Sequence, residues 1–225
     1  MSIVGRWSTR LAGALCAVGL ATSANATVLL DTGTPGGSWG YYGFDVFVGQ
    51  SVAIAFTPGQ DYALDDVSLW LMSNDFDAAG RTLTVSLQED AGNGPAPTAP
   101  SGTALESWLH ATSAIGWTPV LETLVSASHP LLSAGVSYWI VAESDEPAFV
   151  DPVWVATGTE ESYFVGFRDP QYGGDWQIGP TSGPPGAIVT ATAVPEPGTV
   201  ALALLGVPLV VCVARRRSTN ASGHR

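Results

Sequence analysis

The sequence is almost without cysteine and contains no lysine. Its two cysteines, Cys16 and Cys212, lie near opposite ends, so the region between them can form neither a disulfide nor a thiolate metal site. From residue 27 to 194, only Arg81 and Arg168 oppose nineteen acidic residues, a formal charge near −17. Nucleic acid and anionic lipid are bound through Lys and Arg, so this charge excludes both as partners of the region and favours divalent cations.

Recognisable catalytic motifs are scarce as well. His110 and His129 are the only histidines in this region, so a Ser-His-Asp site would have to be built from scattered residues, and no H-E-x-x-H motif or Cys/His cluster occurs. Carboxylate pairs at 65–66, 143–146 and 160–161 leave glycosidic chemistry as a candidate, although nineteen carboxylates make accidental pairs inevitable. We therefore expect a protein that is not an enzyme, with a carbohydrate-active enzyme (a glycoside hydrolase or lyase) as the alternative.

Alternation of apolar and polar residues, which predicts β-strands, dominates the same region. In the clearest case, residues 81–88, Leu83, Val85 and Leu87 are expected to face inward while Thr82, Thr84 and Ser86 face outward. Residues 103–110 suit either a short helix or a strand, and residues 91–102 predict an exposed loop rich in Pro and Gly. Further strands are expected at 27–31, 44–48, 52–56, 67–71, 120–126, 138–142, 153–156, 162–167 and 187–193.

Gly- and Pro-rich turns separate these short strands. The pattern predicts one all-β domain over residues 27–194, an antiparallel β-sandwich of jelly-roll type.

The N-terminus has the features of a secretory signal peptide. Arg6 and Arg10 precede an apolar stretch at 11–21, and small residues follow up to Ala24-Asn25-Ala26. A positive flank, a short apolar segment and an A-x-A site predict cleavage after Ala26. A retained membrane helix is the alternative, but the apolar stretch is short for a span. The exported domain would then begin at Thr27.

The C-terminus predicts a single transmembrane helix. Residues 199–214 are uncharged and mostly apolar, and as a helix they would span about 24 Å of a hydrocarbon layer about 30 Å thick. The arginine cluster that follows is expected to hold residues 218–225 in the cytoplasm by the positive-inside rule. An ordinary membrane anchor would explain both features, but not the Pro-Glu-Pro segment just before them. The cluster consists of Arg215, Arg216 and Arg217.

Pro195, Glu196 and Pro197, followed by a short apolar helix and an arginine cluster, resemble the PEP-CTERM sorting signal over residues 195–217. This resemblance implies a Gram-negative bacterium that makes exopolysaccharide, and an exosortase-type membrane protease that recognises the motif. The protein would be held transiently in the inner membrane and then delivered to the cell surface, the extracellular matrix or a biofilm. Two prolines keep the motif extended, so it would be accessible to such a protease.

The domain itself is similar to exported bacterial domains described as choice-of-anchor R. The likeness rests on VAIAFTPGQDYALDDVSLWL, which leads into LTVSLQEDAGNGPAP, within residues 51–97, and is extended by Tyr138-Trp139 and Trp154. It implies a β-sandwich and no established activity.

Two kinds of ligand site are candidates in the domain. Asp75 and Asp77 begin a D-x-D-x-x-G segment, Glu89 with Asp90 begins a second oxygen-rich loop, and residues 143–151 form a third, so calcium is a candidate cofactor at each. Glycine-rich segments carry four aromatic residues that are candidates for stacking on sugar rings, with packing in the core as the alternative. These residues are Trp39, Tyr41, Tyr172 and Trp176.

The combined expectation is an exported protein, without enzymatic activity, that associates with exopolysaccharide. A self-associating structural coat protein is a further alternative.

Overall fold

The computed structural model describes residues 26–36, 41–92, 94 and 96–195. This part of the chain contains thirteen β-strands, one short 3-10 turn at Pro170–Tyr172 and no α-helix. No helix within it has the length and apolar character needed to cross a membrane. The expected signal peptide, transmembrane helix and arginine cluster lie outside the described residues.

The strands are short except for β4 and β6, which have 12 residues each. In chain order they are β1 (Ala26–Asp31), β2 (Gly43–Asp45), β3 (Ser51–Phe56), β4 (Tyr62–Ser73), β5 (Thr82–Asp90), β6 (Pro100–Ala111), β7 (Val120–Val125), β8 (Leu131–Leu132), β9 (Tyr138–Glu143), β10 (Pro152–Val155), β11 (Ser162–Arg168), β12 (Trp176–Ser182) and β13 (Ala187–Ala193).

These strands form two antiparallel sheets, which confirms the all-β prediction. The first sheet has the order β1-β13-β4-β10-β2, and β7 and β8 also pair with β4. The second sheet has the order β12-β11-β3-β9-β5-β6. Most neighbours in either sheet are far apart in sequence, so the chain crosses repeatedly between the sheets.

One hydrophobic core joins the two sheets. Leu64, Leu69 and Leu71 of β4 contribute from the first sheet, and Ile54 and Leu87 contribute from the second. All five side chains are almost fully removed from solvent. Burying each stabilises the fold by about 1.5–3 kcal/mol, so the domain has a stable core without disulfides.

The outer faces of the central strands are covered as well. On the second sheet, Trp139 and Val141 of β9 pack with Ala53 and Ala55, partly beneath Trp176. On the first sheet a separate buried cluster contains Met72, Val153 and Val155, with Trp70 packed against it. This second cluster forms the floor on which the candidate site lies.

Four local expectations need correction. Residues 103–110 are part of β6, which starts at Pro100, so the irregular loop ends at Ala99. The strand expected at 44–48 is observed only at Gly43–Asp45. Ser86, which was expected on the outward face, is buried, and its hydroxyl accepts a hydrogen bond from Gln88 Nε2. Trp176 lies on strand β12, not in a loop, since residues 176–182 pair with β11.

Candidate functional site

A groove on the outer face of the first sheet is the best candidate site in the described part of the chain. Its cavity measures about 230 Å³, and we call it the aromatic groove. Strands β2, β4 and β10 and the loop before β7 supply its lining: Tyr41, Tyr42, Gly43, Asp45, Met72, Asn74, Trp117 and Val153.

The edge strand β2 brings the tyrosine wall close to the floor. It pairs with β10, with Gly43 opposite Val155 and Asp45 opposite Val153. A Cβ atom at Gly43 would come within 2.6 Å of the Trp154 carbonyl oxygen, so only glycine permits this approach. Tyr41 and Tyr42, directly before Gly43, are thereby fixed at the rim.

The opposite wall is held by the loop that carries Trp117. The Ser73 N–H donates to the Gly116 carbonyl at 3.0 Å, and the Gly116 N–H donates to the Asp75 carbonyl at 2.7 Å. Gly116 has φ +57° and lies against the Phe76 ring, which a larger residue would displace. The rings of Phe76 and Trp117 then meet with their centroids 6.0 Å apart.

The groove exposes aromatic surface beside polar groups. Tyr41, Tyr42 and Trp117 are 52%, 48% and 56% exposed, so none of them serves as a core residue. The Trp117 indole N–H donates to Asn74 Oδ1 at 2.9 Å, which orients the ring. Aromatic faces next to hydroxyl and amide groups suit a ligand with both apolar and polar surfaces, such as a sugar ring.

Asn74 links two aspartates at the end of the groove. Its Nδ2 group donates to Asp45 Oδ1 at 3.1 Å and to Asp151 Oδ1 at 3.2 Å. Its backbone N–H also donates to the Asp151 carbonyl at 2.9 Å. Asp45 is exposed at the rim, whereas Asp151 is fully buried.

The carboxylate of Asp151 is incompletely satisfied. Burial raises its pKa, with the nearby negative charge of Asp45 acting in the same direction, while the hydrogen bond from Asn74 lowers it. Its Oδ2 atom is buried and accepts no hydrogen bond from the described residues. The backbone N–H groups of Phe149 and Asp151 lie close enough to lower the pKa, but neither has the geometry of a hydrogen bond.

Asp75 has a structural role in its loop. Its carboxylate accepts the backbone N–H groups of Asp77 at 2.8 Å and Ala78 at 3.1 Å, and it is ion-paired with Arg81. The Asp77 hydrogen bond and then the one from Arg81 lower the pKa of Asp75. The Asp77 side chain is exposed, and the calcium site at 75–80 stays a prediction.

Asp90 organises the second oxygen-rich loop. Its carboxylate accepts hydrogen bonds from Gly92, Thr98, Ala99 and the buried indole of Trp139. Its neighbour Glu89 is exposed and alternates to the other face of β5. Calcium at Glu89 and Asp90 likewise stays a prediction, and the described ranges contain no group of three or more His, Cys, Asp or Glu side chains able to hold a metal.

The four aromatic residues predicted from the sequence do not form one site. Only Tyr41 lines the groove, and Trp39 lies outside the described residues. Tyr172 ends the 3-10 turn. Trp176 packs on the second sheet, where the Arg168 guanidinium lies 5.0 Å from its ring centroid.

The sequence analysis did not single out Trp117 or Asp45 as site residues. Tyr42 lies in the glycine-containing aromatic segment at 39–42, and Trp117 carries the same signal, an aromatic residue beside a glycine in an irregular segment. Asp151 falls in the oxygen-rich loop at 143–151, but no sequence signal connects it to Asp45, because β10 brings together residues more than a hundred positions apart.

A larger polar cavity of about 290 Å³ lies on the second sheet near Ser51, Thr84 and Glu143. Its charged groups satisfy one another, since Arg168 pairs with Glu143 and donates to Ser51 Oγ. Phe47 is the one aromatic residue among its lining residues, whereas Tyr41, Tyr42 and Trp117 line the aromatic groove. We therefore regard the aromatic groove as the better ligand site despite its smaller volume.

Each carboxylate pair expected from the sequence contains at least one residue with a structural partner. Asp65 and Asp66 accept hydrogen bonds from threonine hydroxyl groups of β13, at 2.8 and 2.7 Å. Glu146 is ion-paired with Arg81 and accepts the Thr82 N–H, and Glu161 accepts the Tyr163 hydroxyl. None of these pairs lines the aromatic groove.

The histidines His110 and His129 do not line the aromatic groove either. His110 contacts Glu122 at 2.9 Å, and His129 Nδ1 contacts the Leu64 carbonyl at 2.7 Å. Residues 36–40 spell G-x-S-x-G, but the strand β2 follows them rather than a helix, so the strand–turn–helix setting of a nucleophile elbow is missing.

Comparison with known proteins adds no assignment: no family model matches the chain, and no curated protein is significantly similar to it. Of the expected sorting motif, only Pro195 is described, and it is exposed two residues after the end of β13.

Proposed function

We propose that this chain is a non-enzymatic, exported surface or matrix protein that binds polysaccharide in the aromatic groove. The observation that carries the proposal is the exposed pair of aromatic walls, Tyr41–Tyr42 and Trp117, around Asp45 and Asn74. Aromatic surface on this scale is normally buried in a soluble domain unless it contacts a ligand. Sugar rings match it because they present an apolar face and a rim of hydroxyl groups.

Export and sorting form the second part of the proposal. A jelly-roll-like sandwich at 27–194 would follow a cleaved signal peptide and precede the PEP-CTERM-like signal at 195–217. An exosortase-type protease would then release the domain from the inner membrane into the exopolysaccharide. Pro195 is exposed beyond the last strand, which supports access by such a protease.

The sorting part is tested by replacing residues 195–197 with Gly-Ser-Gly in the source bacterium. The altered protein should remain in the inner membrane with its C-terminal segment attached, as measured by fractionation and intact mass. A matched control replaces Glu160 and Glu161, which lie in the domain. Normal delivery and trimming of the 195–197 variant would refute this part of the proposal.

The binding part is tested by affinity electrophoresis in the exopolysaccharide of the source bacterium. Trp117→Ala should weaken retention at least about fivefold, because truncating an aromatic residue at the centre of a contact costs more than about 1 kcal/mol. Trp176→Ala is the matched control, since it removes the same side chain from the other sheet. Equal retention of Trp117→Ala and the wild-type protein, or selective loss in Trp176→Ala, would refute the groove as the site.

A carbohydrate-active enzyme is favoured by one observation. Asp45 and Asp151 share one amide group, so their oxygens lie within about 6 Å, near the spacing of paired carboxylates in retaining glycosidases. However, Asp151 has no exposed surface with which to reach a substrate. Release of oligosaccharides that is abolished by Asp45→Asn would establish the enzyme instead.

Self-association is favoured by the edge strand β6. It has 12 residues and, among the described strands, pairs only with β5; residues 101–105 are exposed. Such an edge can accept a strand from another molecule. Sedimentation of the wild-type protein and of a Thr103→Pro variant distinguishes a coat protein from a monomer.

A further inference from the structure

One end of the sandwich exposes large apolar side chains on loops that come from both sheets. These loops follow β2, β4, β6 and β9, and the antiparallel pairing of the strands places them beyond the same end of each sheet. We call this end the apolar tip. Its exposed apolar residues are Val48, Phe76, Ile115, Trp117 and Phe149.

Backbone hydrogen bonds hold these loops together. The Val48 N–H donates to the Glu146 carbonyl at 2.9 Å, which joins the loops after β2 and β9. The first residue after β4 donates its N–H to the last residue of the loop after β9, also at 2.9 Å. The Gly116 N–H donates to the Asp75 carbonyl at 2.7 Å, which joins the loops after β6 and β4. The apolar residues are therefore displayed on one ordered surface and not on independent segments.

Phe149 is the residue of the tip that the fold explains least. It is 87% exposed, so its ring contributes almost nothing to the core. Its φ of +73° lies in the left-handed region, which is unfavourable for a bulky side chain. A strained backbone that holds an aromatic ring in solvent indicates a contact outside the domain.

The charges of the tip limit what this contact can be. Residues 46–49, 114–119 and 147–150, which carry most of the apolar side chains, contain no charged residue. The arginines Arg81 and Arg168 lie near this end but are ion-paired with acidic residues. The tip therefore has nothing to attract an anionic lipid headgroup, and its exposed carboxylates would repel one. These carboxylates belong to Asp45, Asp77, Asp145 and Asp175.

The apolar tip also lies far from both ends of the described chain. Ala193, the last residue of β13, pairs with Tyr62 at the start of β4, and Ala26 pairs with Thr192 beside it. The tip lies beyond Ser73, at the other end of this 12-residue strand, which is about 35 Å away. A surface that the tip contacts is therefore separate from the membrane in which the C-terminal segment is expected to insert.

We propose that the apolar tip is a membrane-contact site, which inserts Phe149 and the other exposed apolar residues into the headgroup region of an uncharged lipid surface. Single apolar side chains on separate loops suit a fluid lipid layer that closes around each of them, whereas a protein partner would need a complementary packed surface. Aromatic side chains are also favoured at the membrane–water boundary. The inference goes beyond the proposed function, because this contact requires neither polysaccharide nor cleavage of the C-terminus.

The test uses residues 26–195, and its probe is a vesicle of phosphatidylcholine. This segment contains both sheets and the core that joins them, so it folds without the apolar stretches at 11–21 and 199–214. Binding is measured by co-sedimentation. Phe149→Gly should weaken partitioning into the vesicles at least about tenfold, because it removes a nearly fully exposed aromatic side chain. Val48→Ser, which removes a smaller exposed side chain, should weaken it about fivefold.

The matched control for Val48→Ser is Val125→Ser. Val125 is a similarly exposed valine on β7, toward the opposite end of the sandwich, so its variant should bind within about twofold of the wild-type domain. Phe149→Gly should unfold at the same Tm as the wild-type domain or a higher one, because glycine adopts this φ without strain. Neither Val48 nor Phe149 lines the aromatic groove, so both variants should be retained normally by exopolysaccharide.

Each outcome decides for or against the tip. The proposal is overturned by a wild-type domain that does not bind phosphatidylcholine, by normal binding of Phe149→Gly and Val48→Ser, or by equal loss in Val125→Ser. Stronger binding to vesicles that contain anionic phosphatidylglycerol would also overturn it, as would a lower Tm of Phe149→Gly. Self-association of the wild-type domain that Phe149→Gly abolishes would assign the tip to a second copy instead. Failure of the aromatic groove to bind polysaccharide leaves the vesicle result unaffected.

Discussion

Asp90 provides the sharpest test of how this acidic domain is stabilised. Its carboxylate accepts the Trp139 indole N–H at 2.7 Å, and Trp139 is fully buried on the outer side of the second sheet. The same carboxylate accepts backbone N–H groups of Gly92, Thr98 and Ala99 at 2.7–3.0 Å. One side chain thus closes the loop between β5 and β6 and satisfies a buried donor.

The cost of Asp90→Ala follows from these contacts. Leaving the buried Trp139 N–H without an acceptor costs about 1–3 kcal/mol. The loop N–H groups are partly exposed and regain water, so together they add about 1 kcal/mol. The free energy of unfolding should therefore fall by about 3 kcal/mol, which lowers the Tm by about 6–12 °C for a domain of this size.

The measurement is urea unfolding followed by tryptophan fluorescence, with the thermal midpoint from circular dichroism. Glu89→Ala is the matched control, because Glu89 is the exposed neighbour on the same strand and has no side-chain hydrogen bond in the described structure. A free energy of unfolding of Asp90→Ala within about 0.5 kcal/mol of the wild-type value would refute the structural role of Asp90. A loss of stability as large in Glu89→Ala would refute it as well.

The pH dependence provides an independent check on Asp90. Burial alone would raise the pKa of Asp90, but the hydrogen bonds from Trp139 and Thr98 outweigh it and lower the pKa below 3.8. The charged form is therefore favoured in the folded state, and its contribution is present above pH 3.8 and lost as the pH falls through the folded pKa. The stability difference between the wild-type protein and Asp90→Asn should shrink below pH 3.8, and a constant difference would contradict this.

Three further predictions concern the groove and strand β7. Gly43→Ala should lower the free energy of unfolding by about 1–3 kcal/mol through overpacking, because the new Cβ atom would lie 2.6 Å from the Trp154 carbonyl oxygen. An unchanged Tm would contradict the close approach of these strands. Glu122→Ala should lower the free energy of unfolding in urea by about 2 kcal/mol, because Glu122 accepts hydrogen bonds from Thr112 and Ser113 and contacts His110. The control Glu160→Ala, at an exposed residue, should cause no measurable loss. Asp151→Asn should raise the Tm at pH 7 in EDTA, because burial raises the pKa of Asp151 and its charge therefore destabilises the fold at neutral pH. For the same reason, the destabilisation that Asp151 causes in the wild-type protein should decrease as the pH falls from 7 toward 3.8. A Tm of Asp151→Asn below that of the wild-type protein at pH 7 would contradict this sign.

Alternation in the sequence was sufficient to predict the strands that have one buried face. Leu83, Val85 and Leu87 are buried as expected, and the apolar character of β9 on both faces matches its central position. The strand β12 was not predicted, because Gly179 and Pro180 interrupt its pattern and its pairing with β11 is a tertiary effect. Likewise β6 could not be separated from a helix, since its edge position leaves most of it exposed and weakens the alternation.

The candidate site was less predictable than the fold. Local patterns identified Tyr41, but Trp117 reaches the same groove from a loop 76 positions later, through the contacts of Gly116 with β4. Asp45 and Asp151 meet only because β2 and β4 both pair with β10. Pairing between distant strands depends on the whole fold, whereas the expected calcium loops at 75–80, 89–90 and 143–151 were inferred from neighbours in sequence.

The scarcity of basic residues explains why some partly buried carboxylates have a lowered pKa while that of Asp151 is raised. Arg81 and Arg168 both pair with acidic residues of the 143–146 segment, so the remaining carboxylates depend on N–H and O–H donors. Glu106 and Glu122 obtain these donors from the loops flanking β7, and in both cases hydrogen bonds lower the pKa against the effect of burial. Asp151 accepts one side-chain hydrogen bond, from Asn74, and burial raises its pKa instead. An acidic domain without further arginines or lysines can neutralise such a group only with a proton or an external cation. Neutralising Asp151 should therefore remove this cost at neutral pH.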